Sequence, residues 1–121
     1  MTTARNHPAP QLGELEQQVM NLLWDSSPRS VRDVMDVLPS NPAYTTIATV
    51  MQNLKTKHMV RSERKGRFVH YLPQLSREEY VARQMHQALD SSQDKAASIL
   101  HFVQDMPEEG LQMLRNYLEQ S

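Results

Sequence analysis

Between Val60 and Pro73 the hydrophobic pattern of this chain changes its period, and that change restricts the available folds more than any other feature. On either side, apolar residues recur three and four apart, the spacing of a helical face. Within "VRSERKGRFVHYLP" (60–73), β-favouring residues instead flank Lys65-Gly66, with Val60 before it and Val69 and Tyr71 at alternate positions after it. Gly66 can take the positive φ that a tight turn needs, and Pro73 ends the second strand because it has no N–H to donate. The expected element is a short antiparallel hairpin set among helices.

Three helices are expected before it. Leu12, Leu15, Val19, Leu22 and Leu23 mark one face of a helix ending at Trp24, and the polar run from Asp25 through Ser26, Ser27 and Pro28 to Arg29 breaks the pattern. Ser30 fits an N-cap with Asp33 at the third helical position, and Val31, Val34, Met35 and Leu38 give a second helix stopping before Pro39. After the turn "PSNP", the stretch "AYTTIATVMQNLKTK" (43–57) supplies the third. Three helices followed by a hairpin is the order of a winged helix-turn-helix. We therefore expect a mostly α chain, with a disordered arm over 1–10 and a winged-helix domain over 11–73.

Residues 74–121 return to helical spacing. Ser76-Arg-Glu-Glu79 is a capping box for a helix with Tyr80, Val81, Met85, Ala88 and Leu89 on its apolar side. A second segment, 94–104, carries Ile99, Leu100, Phe102 and Val103, and Asp105 with Glu108 is expected to cap a third presenting Leu111, Leu114 and Leu118. About 45 residues cannot bury so many large apolar side chains alone. These helices either fold onto the first domain or meet a partner, and a symmetric dimer is the common solution for DNA readers of this size.

The net charge of −1 hides a division along the chain. Residues 1–72 hold nine Lys/Arg against six acids, whereas 73–121 hold four against eight. In 43–72 six bases (Lys55, Lys57, Arg61, Arg64, Lys65 and Arg67) face the single acid Glu63, which points to a polyanionic partner for this part. The absence of cysteine rules out disulfides, cysteine nucleophiles and thiolate metal sites. With three glycines there is little material for a phosphate-cradling loop, and no nucleophile elbow or paired-histidine motif occurs. No enzymatic activity, metal or cofactor is expected, and none of the five histidines pairs with another at helical spacing. There is no run of eighteen apolar residues and no signal-peptide pattern at the N-terminus, so a cytoplasmic protein is expected.

The third helix separates its residues by face. Ile47, Val50, Met51 and Leu54 form a narrow apolar stripe, while Thr45, Thr49, Gln52, Asn53 and Thr56 lie opposite and Thr46, Lys55 and Lys57 on the flanks. Threonine loses χ1 freedom in a helix and trails alanine by several tenths of a kcal/mol, so packing does not account for it on an outward face. Base reading does, because Gln and Asn pair bidentately with adenine and Thr offers a hydroxyl and a methyl. The expected DNA-contacting set is Tyr44, Thr45, Thr46, Thr49, Gln52 and Asn53 for bases, with Arg32, Lys55, Lys57, Arg61, Arg64, Lys65 and Arg67 for phosphates.

With these elements in place, the chain resembles the BlaI/MecI/CopY family of bacterial repressors, the penicillinase repressors and their relatives. The resemblance runs from Leu12 to Leu118 and rests on "LGELEQQVMNLLW" (12–24), "SVRDVMDVL" (30–38), "AYTTIATVMQNLKTKHMV" (43–60), "RKGRFVHYLP" (64–73), "SREEY" (76–80) and "ILHFVQDMPEEGLQMLRNYL" (99–118). It implies a transcriptional repressor that binds a palindromic operator in double-stranded DNA as a homodimer, the three C-terminal helices over 74–121 forming the dimerisation domain. The dimerisation surface would comprise Val81, Met85, Leu89, Ile99, Leu100, Phe102, Val103, Leu111, Leu114 and Leu118. In the β-lactam-responsive branch a membrane sensor protease is the further partner, and the repressor is cleaved at an Asn-Phe bond. The matching position here reads His101-Phe102, with the phenylalanine present and the asparagine replaced. The copper-responsive branch depends on C-terminal cysteines, which this chain lacks. The competing readings are a winged helix that docks proteins and a module that senses a ligand between its two parts, since fold alone does not assign the task.

Overall fold

The computed structural model describes residues 9–120. Its elements are α1 (Glu14–Asp25), α2 (Val31–Val37), α3 (Tyr44–Thr56), β1 (Val60–Lys65), β2 (Phe68–Pro73), α4 (Arg77–Asp90), α5 (Lys95–Gln104) and α6 (Glu108–Gln120). The expected order of three helices, hairpin and three helices is the observed one. Of the arm expected to be disordered, residues 1–8 lie outside the described residues. Its last two positions are held in place: Ala9 is buried in the core, and the Pro10 carbonyl accepts from the Tyr80 hydroxyl at 2.9 Å.

Apolar stripes at helical spacing build the head. α1 contributes Val19, Met20 and Leu23, α2 contributes Val31 and Val34, and α3 contributes Ile47, Val50, Met51 and Leu54, all buried. Each such side chain removed from water contributes about 1.5–3 kcal/mol before the entropy of ordering is counted. Local chemistry sets where the helices begin. At α2 the Ser30 hydroxyl accepts from Asp33 N at 3.1 Å, and the Asp33 carboxylate accepts from Ser30 N at 2.9 Å. That backbone hydrogen bond, opposed by slight desolvation, holds the Asp33 carboxyl below its ordinary pKa.

The chain leaves α3 through a two-bond reversal, with His58 N donating to Lys55 O at 3.0 Å and Met59 N to Leu54 O at 2.9 Å. His58 takes φ of 62° there, a position glycine normally fills, and the turn drops Met59 and Val60 directly into the core. In the hairpin, Lys65 pairs with Phe68, leaving Gly66 and Arg67 as the two-residue turn, with Gly66 at φ of 63°. A further bridge was not expected: Arg29 N donates to Tyr71 O at 3.1 Å and Tyr71 N to Arg29 O at 2.8 Å, extending the hairpin toward α2.

Leu75 and Tyr80, just past the expected boundary at 73/74, are buried in the head core. One expectation for the C-terminal part needs correction. Asp105 does not cap α6; it is the C-cap of α5, and α6 closes its first turn with Leu111 N on Pro107 O at 3.1 Å. Beyond Tyr80 no described residue is buried, so α5 and α6 do not fold back into the head core.

Glu16 is the one buried charged residue of the described chain. Its carboxylate accepts from Gly13 N at 2.8 Å and from Lys57 Nζ at 2.7 Å, joining the start of α1 to the end of α3. Burial pushes the Glu16 pKa up, but the hydrogen bonds from Lys57 and Gly13 and the lysine charge outweigh it and hold the pKa below its ordinary value. A depressed folded pKa stabilises the protein above the unfolded value of about 4.3, and that contribution is lost as pH falls through the folded value. Glu16→Gln is expected to lower stability by about 1–2 kcal/mol near neutral pH. In urea titrations across pH, the gap to the parent chain should close below about pH 4.

Candidate nucleic-acid interface

α3 stands against α1 and α2 with its apolar stripe inward, which turns its other side outward. Thr45, Thr46, Thr49, Gln52, Asn53 and Thr56 are exposed, as is half of Tyr44, so the expected base-reading set shares one solvent-facing surface. That surface carries no acid. Ala43 at the N-cap makes no side-chain capping bond, in contrast to Ser30 on α2, and the first N–H groups of α3 are thus left without a side-chain cap.

The cations divide into those that face out and one that is engaged. Arg32, Lys55, Arg61, Arg64, Lys65 and Arg67 are exposed. Lys55 Nζ donates to Ser62 Oγ at 3.0 Å, linking α3 to β1 while its ammonium stays in solvent. The two-residue period of β1 puts Arg64 on the same side as Val60, which is buried, and Ser62, so Arg64 lies on the α3 side of the wing. Arg61 reaches Glu63 only at 3.9 Å, a contact too long and too exposed to tie up its charge. Lys57 is different. It was expected among the phosphate contacts, but its ammonium lies on Glu16 at 2.7 Å and on the Gln11 carbonyl at 2.9 Å. That charge is already engaged by the head, with 32% of the Lys57 side chain still exposed.

Between α2, the first turns of α3 and β2 runs a groove of ≈ 690 Å³, bordered by Arg32, Tyr44, Arg67, Phe68 and His70. Phe68 is 62% exposed beside the cations of the turn. It was not among the expected contacts, although an aromatic next to Lys65-Gly66-Arg67 was a readable signal, since such a ring can pack on a thymine methyl or a sugar. His70 gave no such signal; its place near Asp33 follows from the bridge between Arg29 and Tyr71.

Of the expected dimerisation residues, Val81, Met85, Ile99, Leu100, Phe102, Leu114 and Leu118 are exposed, and Leu89, Val103 and Leu111 half-buried. Met85, Leu89, Ile99 and Phe102 line an apolar trough of ≈ 470 Å³ between α4 and α5. His101 and Phe102 are both exposed, and the bond between them lies inside α5. No described helix is long and apolar enough to cross a membrane, and among the described residues no group of three His, Asp or Glu gathers as a metal site would require.

The family model described as penicillinase repressor matches residues 12–120 of the chain. The transcriptional regulator BlaI of Mycobacterium tuberculosis is 37% identical over 113 residues, which make up 88% of this chain and 82% of that protein. Among solved structures, the DNA-binding domain of the repressor BlaI in solution matches with a TM-score of 0.53 and 27% identity. It covers 60% of this chain and 90% of its own. The monomeric form of Bacillus licheniformis BlaI in complex with the blaP half-operator matches over the same shares, 60% and 90%, with a TM-score of 0.50 and 26% identity.

Proposed function

The chain belongs to the penicillinase repressor family, and we propose that it is a DNA-binding transcriptional repressor that reads a palindromic operator as a homodimer. The observation that carries this is α3: a helix fully buried on one side and, on the other, exposed, uncharged, rich in amide and hydroxyl groups, and bordered by cations. A solvated face gains nothing from threonines; a face laid in a major groove gains contacts that a glutamate there would repel. The half-operator complex of the Bacillus licheniformis relative supports the same partner here.

In this reading Tyr44, Thr45, Thr46, Thr49, Gln52 and Asn53 meet base edges. Arg32, Lys55, Arg61, Arg64, Lys65 and Arg67 hold the phosphates on either side, with Phe68 added on the wing and Lys57 left as an internal clamp. The apolar surfaces of α4, α5 and α6 meet those of a second copy, because exposed patches of this kind mark association surfaces. Two-fold symmetry then sets two reading helices about 34–36 Å apart, one DNA turn, and anything that separates the tails releases the operator. The protein would work in the cytoplasm. A membrane sensor protease acting on the tail is the partner that the family's β-lactam branch suggests, with His101-Phe102 at the matching position.

Base reading is tested by Gln52→Ala or Thr46→Ala, each expected to weaken binding to a duplex enriched by the protein from a randomised pool by about 1–3 kcal/mol, with little change on random DNA. Equal losses on both would remove the base-reading role. Leu114→Asp places a charge in the apolar contact and is expected to give monomers in sedimentation that retain the fold of the head but bind weakly. An unchanged sedimentation coefficient would count against the tail as the dimerising element.

A further inference from the structure

We propose that the joint between α1 and α4 fixes the separation of the two reading helices, so that Arg77 and Trp24 determine which half-site spacing the protein accepts. This rests on the dimeric, DNA-reading function above and adds positioning residues outside its proposed DNA-contacting and dimerising sets.

The first turn of α4 is fastened to the head at several points within six residues. Trp24 Nε1 donates to Leu75 O at 2.9 Å. The Arg77 guanidinium lies over the Trp24 ring, 5.3 Å from its centroid, with Nη2 at 3.1 Å from Asp25 Oδ1 and 3.4 Å from Asn21 O. Trp24 and Tyr80 have ring centroids 5.7 Å apart, and the buried Tyr80 donates through its hydroxyl to Pro10 O at 2.9 Å. Nothing described beyond Tyr80 is buried; α4 continues past this clamp with Gln84, Gln87 and Ala88 bordering an open cleft against Pro10, Gln11 and Gln17, and carries Val81, Met85 and Leu89.

The geometry makes the clamp decisive for spacing. From Val81 to Asp90 the helix runs about 15 Å, at 1.5 Å per residue. A rotation of roughly 10° at its base moves the far end by about 2.6 Å, and two-fold symmetry doubles this to about 5 Å, beyond the 3.4 Å rise of one base pair. A joint free by that amount would let one dimer adapt to neighbouring spacings. The observed joint opposes that freedom, with the indole held by its hydrogen bond to Leu75 O and by contacts with the Arg77 guanidinium and the Tyr80 ring.

The test uses the full chain and inverted repeats of the half-site it enriches from a randomised pool, with the centre-to-centre distance changed by one and two base pairs. The parent protein is expected to lose roughly tenfold or more in affinity when the spacing departs from its optimum by one base pair. Arg77→Met should flatten that profile to less than about threefold while affinity for a single half-site and the dimer mass stay unchanged, and Arg77→Lys should restore part of the selectivity. Trp24, the sole tryptophan, reports the joint directly, and its emission should shift in Arg77→Met with helical content preserved. Should Arg77→Met fail to fold, Asp25→Asn loosens the same clamp from the other side and is judged by the same profile. A parent-like spacing profile in a variant whose Trp24 emission shows an altered joint would overturn the proposal alone. If the parent protein binds no inverted repeat better than a single half-site, the dimeric function above fails, and this proposal with it.

Discussion

The head depends on the burial of one stripe of α3. Ile47, Met51 and Leu54 are fully enclosed and Val50 nearly so, packed among Val19, Met20 and Leu23 of α1 and Val34 of α2. Because a helix has a fixed period, sinking these four positions fixes the orientation of every other residue on it, and Thr45, Thr49, Gln52 and Asn53 must then face out. Lys57 and Glu16 pin the far end of the same helix to α1, and the reversal through His58 delivers the chain into β1. The wing stands beside α3 because the core places Met59 and Val60 where it does. Rigid support of this kind lets side chains reach bases from a defined position.

Much of this was legible in the sequence because it is local. Periodicity marked all six helices, Ser30 with Asp33 and Ser76 with Glu79 marked two of their starts, and Lys65-Gly66 marked the turn. Pairings across long separations were not legible. Nothing in the residues near Lys57 shows that its charge is answered by Glu16, 41 positions earlier. The bridge between Arg29 and Tyr71 involves one residue of an irregular segment and leaves no periodic trace. Tyr80 read correctly as an apolar-side residue of α4, but that it packs on Trp24 and closes the head core is a tertiary fact.

The two ends of the chain separate affinity from geometry. Cations and uncharged polar groups gather on α3 and the wing, whereas the acidic tail presents Leu100, Phe102, Tyr117 and Leu118 to solvent in a single chain. An exposed surface so apolar is of the kind that marks an association surface. The residues from Leu75 to Tyr80 connect the two ends and are tied to the head through Trp24.

The most direct measurement of the account takes advantage of a chain with no cysteine. Thr56→Cys, on the outward side of the last turn of α3, can carry a tethered iron chelate that cleaves nearby DNA, with Glu119→Cys on α6 as the control. On a palindromic duplex enriched by the full chain, cleavage from position 56 should fall in two clusters about 10–10.5 base pairs apart, one in each half-site, with none from position 119. Cleavage from 119 but not from 56, or a single cluster lacking two-fold symmetry, would contradict the assignment of α3 as the reading element of a dimer.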